Sequence, residues 1–207
     1  MFNLTPHELK IFKALSTPAK TQDFLEKLPA NFERSGETLY SPHMVLKYRK
    51  AHCTEGALFA AAALSLQGHK PLVLDLKTTA KDEYHAIAVF TVRGRWGAIS
   101  KTNHPVLRYR DPVYLSIREL VMSYFHEYFM GDGTKTLRSY TDPLDLSRFD
   151  TKGWMTDEKN LWYIDHYLTA MKHIPILRKG ISLRKADRIE RRATGTTEWK
   201  KDERRRR

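Results

Sequence analysis

The stretch CTEGALFAAAALSLQG, residues 53–68, constrains the fold of this 207-residue chain more than any other segment. From Thr54 to Gln67 it is rich in alanine and leucine, which are strong helix formers. Its apolar residues are not confined to one stripe, so the helix is predicted to be buried on most sides. Gly68 stands where a left-handed helix cap is expected, and Pro71 follows shortly after it. The sequence therefore predicts a central helix against which the other elements pack.

The only cysteine of the chain, Cys53, stands at the first turn of this helix. Unpaired backbone N–H groups and the positive end of the helix dipole favour a thiolate at that position. A single cysteine also excludes an internal disulfide framework and a cysteine-rich zinc site. Cysteine is, however, often a small buried apolar residue. The position alone therefore leaves two interpretations, a nucleophile and a core residue.

Helix signals occur on both sides of the central helix. Each predicted helix begins with Ser, Thr or Asp beside a proline or an acidic residue, as helix N-termini favour. Three of these signals precede the central helix and two follow it: Thr5-Pro6, Ser16-Thr17-Pro18, Ser41-Pro42, Asp111-Pro112 and Thr156-Asp157. The last two helices are predicted to run to about residues 129 and 173, with an irregular surface segment over 134–153 between them.

Strand signals follow the central helix. Residues 71–76 form a short apolar run, which is typical of a buried strand. Residues 84–101 contain two runs rich in β-branched and aromatic residues on either side of Arg93-Gly94. This pattern predicts an antiparallel hairpin with a two-residue turn. The helices and strands together predict an α+β fold.

His85 is the histidine best placed to act as a general base for Cys53. It lies inside a predicted core strand directly after the helix–strand unit, and imidazole transfers protons readily near neutral pH. A two-residue turn makes Ser100 the diagonal neighbour of His85 on the same face of the hairpin. The Ser100 hydroxyl is therefore predicted to orient the imidazole. The alternatives are Thr102, which the same register places opposite the histidine, and Asn103.

The stretch from Cys53 to about Asn103 resembles the core of the transglutaminase-like superfamily of papain-fold cysteine enzymes. The matching pieces are HCTEGALFAAAALSLQG for the nucleophile helix, EYHAIAVF for the histidine strand and GRWGAISKT for the partner strand. The resemblance implies a papain-like core, in which the buried helix carries the cysteine at its N-terminus and packs on a small antiparallel sheet with additional flanking helices. It also implies a thiolate–imidazolium pair of Cys53 and His85 that acts on an amide or peptide bond without a cofactor or metal.

One position departs from the family pattern. The family usually has an aspartate where this chain has Ser100. Aspartate orients the histidine and stabilises its charged form, whereas serine does only the first. Two functions are therefore expected to compete. One is a cysteine hydrolase or acyl transferase acting on a peptide or protein substrate, and the other is a catalytically inactive fold that serves as a binding module.

Polar residues near Cys53 have structural and functional interpretations. His52 is predicted to cap the helix or contact the surface, pointing away from the cysteine side chain. Glu55 is expected to complement the helix N-terminus, the alternative being a ligand for a substrate amine. The cluster at 108–111 either holds an acidic substrate group or forms a salt bridge. The histidines and cysteine at 52, 53, 85 and 104 lack CxxC or HExxH spacing, so no metal site is predicted.

The net charge of +12 is concentrated near the C-terminus. Residues 178–207 contain 13 Lys and Arg against 5 Asp and Glu. Such a run binds nucleic acid or an anionic surface through counterion release, or else is solvated. We expect it to be a basic, partly disordered tail, the alternative being a weak contact with an acidic partner such as nucleic acid or an anionic surface.

The length predicts a single transglutaminase-like domain over residues 1–177, followed by the tail. This domain divides into a helical part over 1–52, the helix and sheet core over 53–103, and C-terminal helices over 104–177. The sequence begins without a basic region followed by an apolar run, and its longest apolar stretch is too short to span a bilayer. The expectation is a cytoplasmic protein without a transmembrane segment.

Overall fold

A computed structural model of the chain describes residues 4–33, 36–104, 106–178 and 180–194. The helices are α1 (Pro6–Ala14), α2 (Pro18–Lys27), α3 (Pro42–Tyr48), α4 (Cys53–Leu66), α5 (Ile117–Phe125), α6 (Trp162–Ala170) and α7 (Arg188–Ala193), with a 3-10 helix over Leu146–Lys152. The strands are β1 (Leu72–Thr78), β2 (His85–Val92), β3 (Arg95–Ile99), β4 (Arg110–Tyr114), β5 (Leu137–Thr141), β6 (Leu144–Asp145) and β7 (His173–Pro175).

The strands form one antiparallel sheet in the order β4-β3-β2-β1-β5-β7, with β6 pairing with β1 in addition. The hairpin of β2 and β3 turns at Arg93-Gly94 and pairs Val92 with Arg95, which is the predicted register. Both turn residues have positive φ values, 48° and 75°, as tight two-residue hairpin turns favour. The antiparallel sheet and its surrounding helices confirm the predicted α+β class.

The sheet separates two apolar clusters. Along β2, Ala86 and Ala88 face the cluster that contains α4, whereas Ile87 and Val89 face the cluster that contains α5. This alternation follows from the pleat of a strand, in which successive side chains point to opposite faces. Every residue from Ala57 to Leu64 is at most 1% exposed. The prediction of a central helix buried on most sides is therefore confirmed.

The three helices before α4 begin where their sequence signals predict. Thr5, Thr17 and Ser41 cap α1, α2 and α3, because each hydroxyl accepts a backbone N–H from the first helical turn. Aromatic rings from α1 and α2 stack on Phe59 of α4, with centroids 5.0 and 5.2 Å away. These contacts pack the N-terminal helices against the central helix.

The helix predicted from Asp111-Pro112 is wrong in its first part. Residues 110–114 form β4 at the edge of the sheet, and α5 begins only at Ile117, behind its N-cap Ser116. A proline is tolerated in an edge strand because the missing N–H removes no central ladder bond. The Asp-Pro pair therefore lies in a strand, although it also suits a helix start.

Two further predictions for the second half are wrong. The segment 134–153, predicted to be irregular, contains β5, β6 and the 3-10 helix. The last predicted helix, α6, begins at Trp162 rather than at Thr156, whose N–H donates to the carbonyl of Gly153 in a turn. Strand β5 forms because β1 and β7 pair with it, and local sequence patterns do not contain such distant pairing.

Part of the predicted tail packs on the rest of the chain. Ala186 is buried, and its N–H donates to the carbonyl of Gly133 at 2.9 Å. Lys185 forms an ion pair with Asp132 at 2.7 Å. Helix α7 follows this contact. Residues 195–207, which carry the end of the predicted basic tail, lie outside the described residues.

Candidate active site

Cys53 is the first residue of α4 and is partly exposed. Its sulfur lies 3.8 Å from the Thr54 hydroxyl. Within the described ranges, the backbone N–H of Cys53 donates to no acceptor. A partly exposed cysteine at a helix N-terminus, with a backbone N–H that has no acceptor in these ranges, meets the needs of a nucleophile and of a developing negative charge.

His85 lies at the start of β2, where it pairs with Leu76 of β1. Its Nε2 atom is 2.6 Å from the Ser100 hydroxyl, which leaves Nδ1 for the thiol of Cys53. Burial alone raises the pKa of the Cys53 thiol, but hydrogen bonds and positive charges from His52 and His85 outweigh it. The pKa of the thiol therefore lies well below its ordinary value.

The structure brings Ser100, rather than the two alternative residues, to His85. Strand β3 ends at Ile99, and Ser100 follows it directly. The Thr102 hydroxyl instead accepts the backbone N–H of His104 at 2.9 Å. Asn103 is exposed. His85 contacts the Ser100 hydroxyl and also hydrogen-bonds the Cys53 thiol, so the three predicted site residues are close together.

His52 is the N-cap of α4, as the sequence predicts, but it also interacts with Cys53. Its Nδ1 accepts the Thr54 N–H at 3.2 Å, and its Nε2 lies 2.9 Å from the Thr38 carbonyl. Burial lowers the pKa of His52, but Cys53 and the negative charge of Glu55 outweigh burial and raise the pKa to about 9. The contact with Thr54 requires Nδ1 to be unprotonated, so protonation of the ring removes this cap.

The interpretation of His52 as pointing away from the cysteine is therefore wrong. The residue order alone suggests a cap, because a polar side chain precedes the helix. The loop that brings Thr38 to the imidazole turns the ring toward the helix start, and no local pattern reveals that loop. His52 is thus a second histidine beside the candidate nucleophile.

Glu55 is fully buried and holds the preceding loop against the start of α4. Its carboxylate accepts the backbone N–H groups of His52 at 2.9 Å and Tyr40 at 3.0 Å. It also accepts the Thr38 hydroxyl at 2.7 Å and the side-chain amide of Asn31. This set of donors leaves no place for a substrate amine, so Glu55 has a structural function.

A buried carboxylate on β1, Asp75, is an additional charged group near the site. It lies beside Ala86 of β2 and pairs with His173 of β7 at 2.9 Å. Burial raises the pKa of Asp75. His173 and the positive charge of His85 lower it, but by less than burial raises it, so the net shift of this pKa is upward. The only sequence signal is an acidic residue within the apolar run LVLDL, because the pairing residues are 98 positions apart.

The two arginines of the cluster at 108–111 form ion pairs within the fold. Arg108 pairs with Glu26 of α2 at 2.8 Å. Arg110 pairs with Glu127 at 2.6 Å, and its guanidinium lies 4.2 Å from the Tyr124 ring centroid. Of the two interpretations offered by the sequence, the salt bridge is the one that these contacts support.

Comparison of the chain with models of known protein families and with curated proteins finds no match. Among the described residues, no group of three His, Cys, Asp or Glu side chains is arranged to hold a metal ion. No helix in the same ranges is long and apolar enough to cross a membrane. The resemblance to a transglutaminase-like core therefore stays a prediction from the residues.

Proposed function

We propose that this chain is a transglutaminase-like cysteine hydrolase or acyl transferase that acts on an amide or peptide bond. The observation that carries the proposal is the contact of His85 with Ser100 at 2.6 Å beside a partly exposed cysteine at a helix N-terminus. A nucleophile, a base and a group that orients the base are the parts that this chemistry requires. The substrate in this proposal is a peptide or protein.

The reaction begins with attack by the Cys53 thiolate on the carbonyl carbon. A carbon–sulfur bond forms, and the carbonyl π electrons move to the oxygen. The backbone N–H of Cys53, which has no acceptor among the described residues, stabilises this oxyanion. His85, as the imidazolium, then donates its Nδ1 proton to the leaving nitrogen as the carbon–nitrogen bond breaks.

The thioester that remains is resolved by water or by an acceptor amine. His85 takes a proton from the attacking water or amine, and the new bond to the carbonyl carbon forms. The carbon–sulfur bond then breaks, and its electrons return to sulfur, which restores the thiolate–imidazolium pair. When the acceptor is water, the reaction is hydrolysis and the product is a free acid. When the acceptor is an amine, the reaction is acyl transfer.

A papain-like core is part of the same proposal. The arrangement that supports it is a buried helix with the cysteine at its N-terminus, packed against the strand that carries the histidine. Ser100 takes the position of the family aspartate and supplies orientation without charge. Asp75 is a buried carboxylate on β1, which flanks β2 on the side opposite β3. Its charge interacts with that of His85.

A binding module is the second candidate function. The observation that favours it is the uncharged Ser100 next to His85, because a serine does not stabilise an imidazolium as a carboxylate does. In that case the basic C-terminal residues contact an acidic partner such as nucleic acid. An unperturbed thiol at Cys53 would favour this candidate over the enzyme.

The pH dependence of alkylation by iodoacetamide tests the proposal. Cys53 is the only cysteine, so each label reports this site. We expect the alkylation rate to rise with a midpoint well below about 8.5, the value of a free thiol. The midpoint should move upward in His85→Ala and stay unchanged in His7→Ala, which removes an exposed histidine. A midpoint that lies near the free-thiol value and does not change in His85→Ala would contradict the proposal that the chain is a cysteine enzyme.

A further inference from the structure

Gln22 of α2 holds the backbone of Ser100 through both of its amide atoms. Its Oε1 accepts the Ser100 N–H at 3.0 Å, and its Nε2 donates to the Ser100 carbonyl at 2.9 Å. Both residues are buried, and 78 positions separate them in the chain. The side-chain amide thus forms the two hydrogen bonds that a neighbouring strand would otherwise supply.

The position of Ser100 explains why such support is needed. The pairing of β3 with β2 extends only to Ile99, and its pairing with β4 reaches Ala98. Ser100 lies beyond both ladders, where a buried backbone group without a partner is costly. Gln22 therefore continues the sheet edge by one residue, at the residue that contacts His85.

The orientation of the Gln22 amide is itself fixed. Its Nε2 also donates to Glu26 at 3.1 Å, and Glu26 pairs with Arg108 at 2.8 Å. The nitrogen must therefore face Glu26 and the Ser100 carbonyl, which leaves the oxygen for the Ser100 N–H. Helix α2 is in turn held to α4, because the side chain of Gln67 donates to the Thr21 hydroxyl at 3.0 Å.

We propose that Gln22 is a positioning residue for the catalytic pair, which acts by holding Ser100 so that its hydroxyl orients His85. This inference rests on the proposed function of Cys53 and His85. Gln22 touches neither the sulfur nor the imidazole in any described contact, so its effect passes through Ser100. The helix that carries it thereby links the N-terminal part of the chain to the candidate site.

The test compares Gln22→Glu with Ser100→Ala and with the double variant. Glutamate has the same length but places an acceptor against the Ser100 carbonyl and Glu26. We expect alkylation of Cys53 at neutral pH to slow by about fivefold in either single variant, as for the loss of one neutral hydrogen bond. In the double variant the loss should be close to that of Ser100→Ala alone, because both changes act on the same contact.

Gln67→Glu is the matched control, because it also weakens a glutamine contact between α2 and α4 but does not touch Ser100. Both glutamate variants should lower the thermal midpoint, and only Gln22→Glu should slow alkylation. If Gln22→Glu does not fold, Gln22→Asn carries the same expectation, since the shorter side chain does not reach Ser100.

Three outcomes separate the inference from the proposed function. Wild-type alkylation in a folded Gln22 variant, with a slower rate in Ser100→Ala, overturns the inference alone. Additive losses in the double variant also overturn it, because Gln22 would then act independently of Ser100. If the pH profile of Cys53 alkylation is the same in His85→Ala as in wild type, the proposed function is overturned instead.

Discussion

The Nε2 atom of His85 lies 2.6 Å from the hydroxyl of Ser100, a contact between the first residue of β2 and the residue that follows β3. Both side chains are buried, at 7% and 1% exposure. A hydroxyl fixes the plane of the ring, but it carries no charge to balance an imidazolium. The contact therefore provides orientation and lacks the electrostatic part of a carboxylate–histidine pair.

Ser100→Asp should supply that missing part. A hydrogen bond to a charged group is stronger than a neutral one by about 1 kcal/mol, which corresponds to a shift of almost one pKa unit. We expect the midpoint of Cys53 alkylation to fall by about that amount, because a stabilised imidazolium favours the neighbouring thiolate. The measurement is the alkylation rate from pH 5 to 9, at about six pH values.

Ser100→Asn is the control for this substitution, since it has nearly the shape of aspartate and no charge. Its midpoint should stay near that of the wild type or rise. Equal midpoints for the two variants would show that charge at position 100 has no effect on the thiol. Both variants should be less stable than wild type, because the site is buried.

The sequence predicts the helix that carries Cys53, the strand that carries His85 and the contact of His85 with Ser100 for a simple physical reason. A run rich in alanine and leucine favours a helix, and a two-residue turn at Arg93-Gly94 fixes which residues of the hairpin pair with each other. His85 and Ser100 are therefore related by local geometry. The orienting residue follows from this register without knowledge of any distant contact.

Asp75, His173 and Gln22 could not be found in this way. Asp75 and His173 meet because β5 lies between β1 and β7, and β5 is itself in a segment that has no strand pattern. In the sequence, Gln22 is an ordinary polar residue of α2. Its contact with Ser100 is revealed only by the fold, which brings the end of β3 beside it. Each contact depends on elements far apart in the chain, which sequence periodicity does not encode.

Gly56, one turn after Cys53, provides a second prediction. A Cβ at this position would lie 2.2 Å from the Cβ of Lys101. Lys101 cannot easily move, because it is buried and its Nζ donates to the Leu28 carbonyl at 2.6 Å. Gly56→Ala should therefore destabilise the fold by about 1–3 kcal/mol, as overpacking does, and also slow alkylation of Cys53.

Urea unfolding measures the first effect, and iodoacetamide labelling measures the second. Gly131→Ala is the control, since a Cβ there meets no atom within 4 Å. It should change the free energy of unfolding by less than about 0.5 kcal/mol. Wild-type stability in Gly56→Ala would mean that α4 and the residue after Ser100 are not in close contact.

The third prediction concerns His52 and the pH dependence of stability. Cys53 and Glu55 raise its pKa from 6.5 to about 9, although burial opposes them. Between these pH values the folded state binds more protons on His52 than the unfolded state does. The contribution of His52 to stability is therefore fully present below pH 6.5 and is lost as the pH rises through about 9.

His52→Gln removes this titration, so the stability advantage of wild type over the variant should shrink across that pH range. The full change is about 3 kcal/mol, the value that corresponds to a rise from 6.5 to about 9. Urea unfolding of both proteins at about pH 6, 7.5 and 9, in the presence of a reductant, measures this change in the free energy of unfolding. His7→Gln, an exposed control, should show no such trend. A constant difference between wild type and His52→Gln over this pH range would contradict the prediction, because it would mean that folding does not shift the pKa of His52.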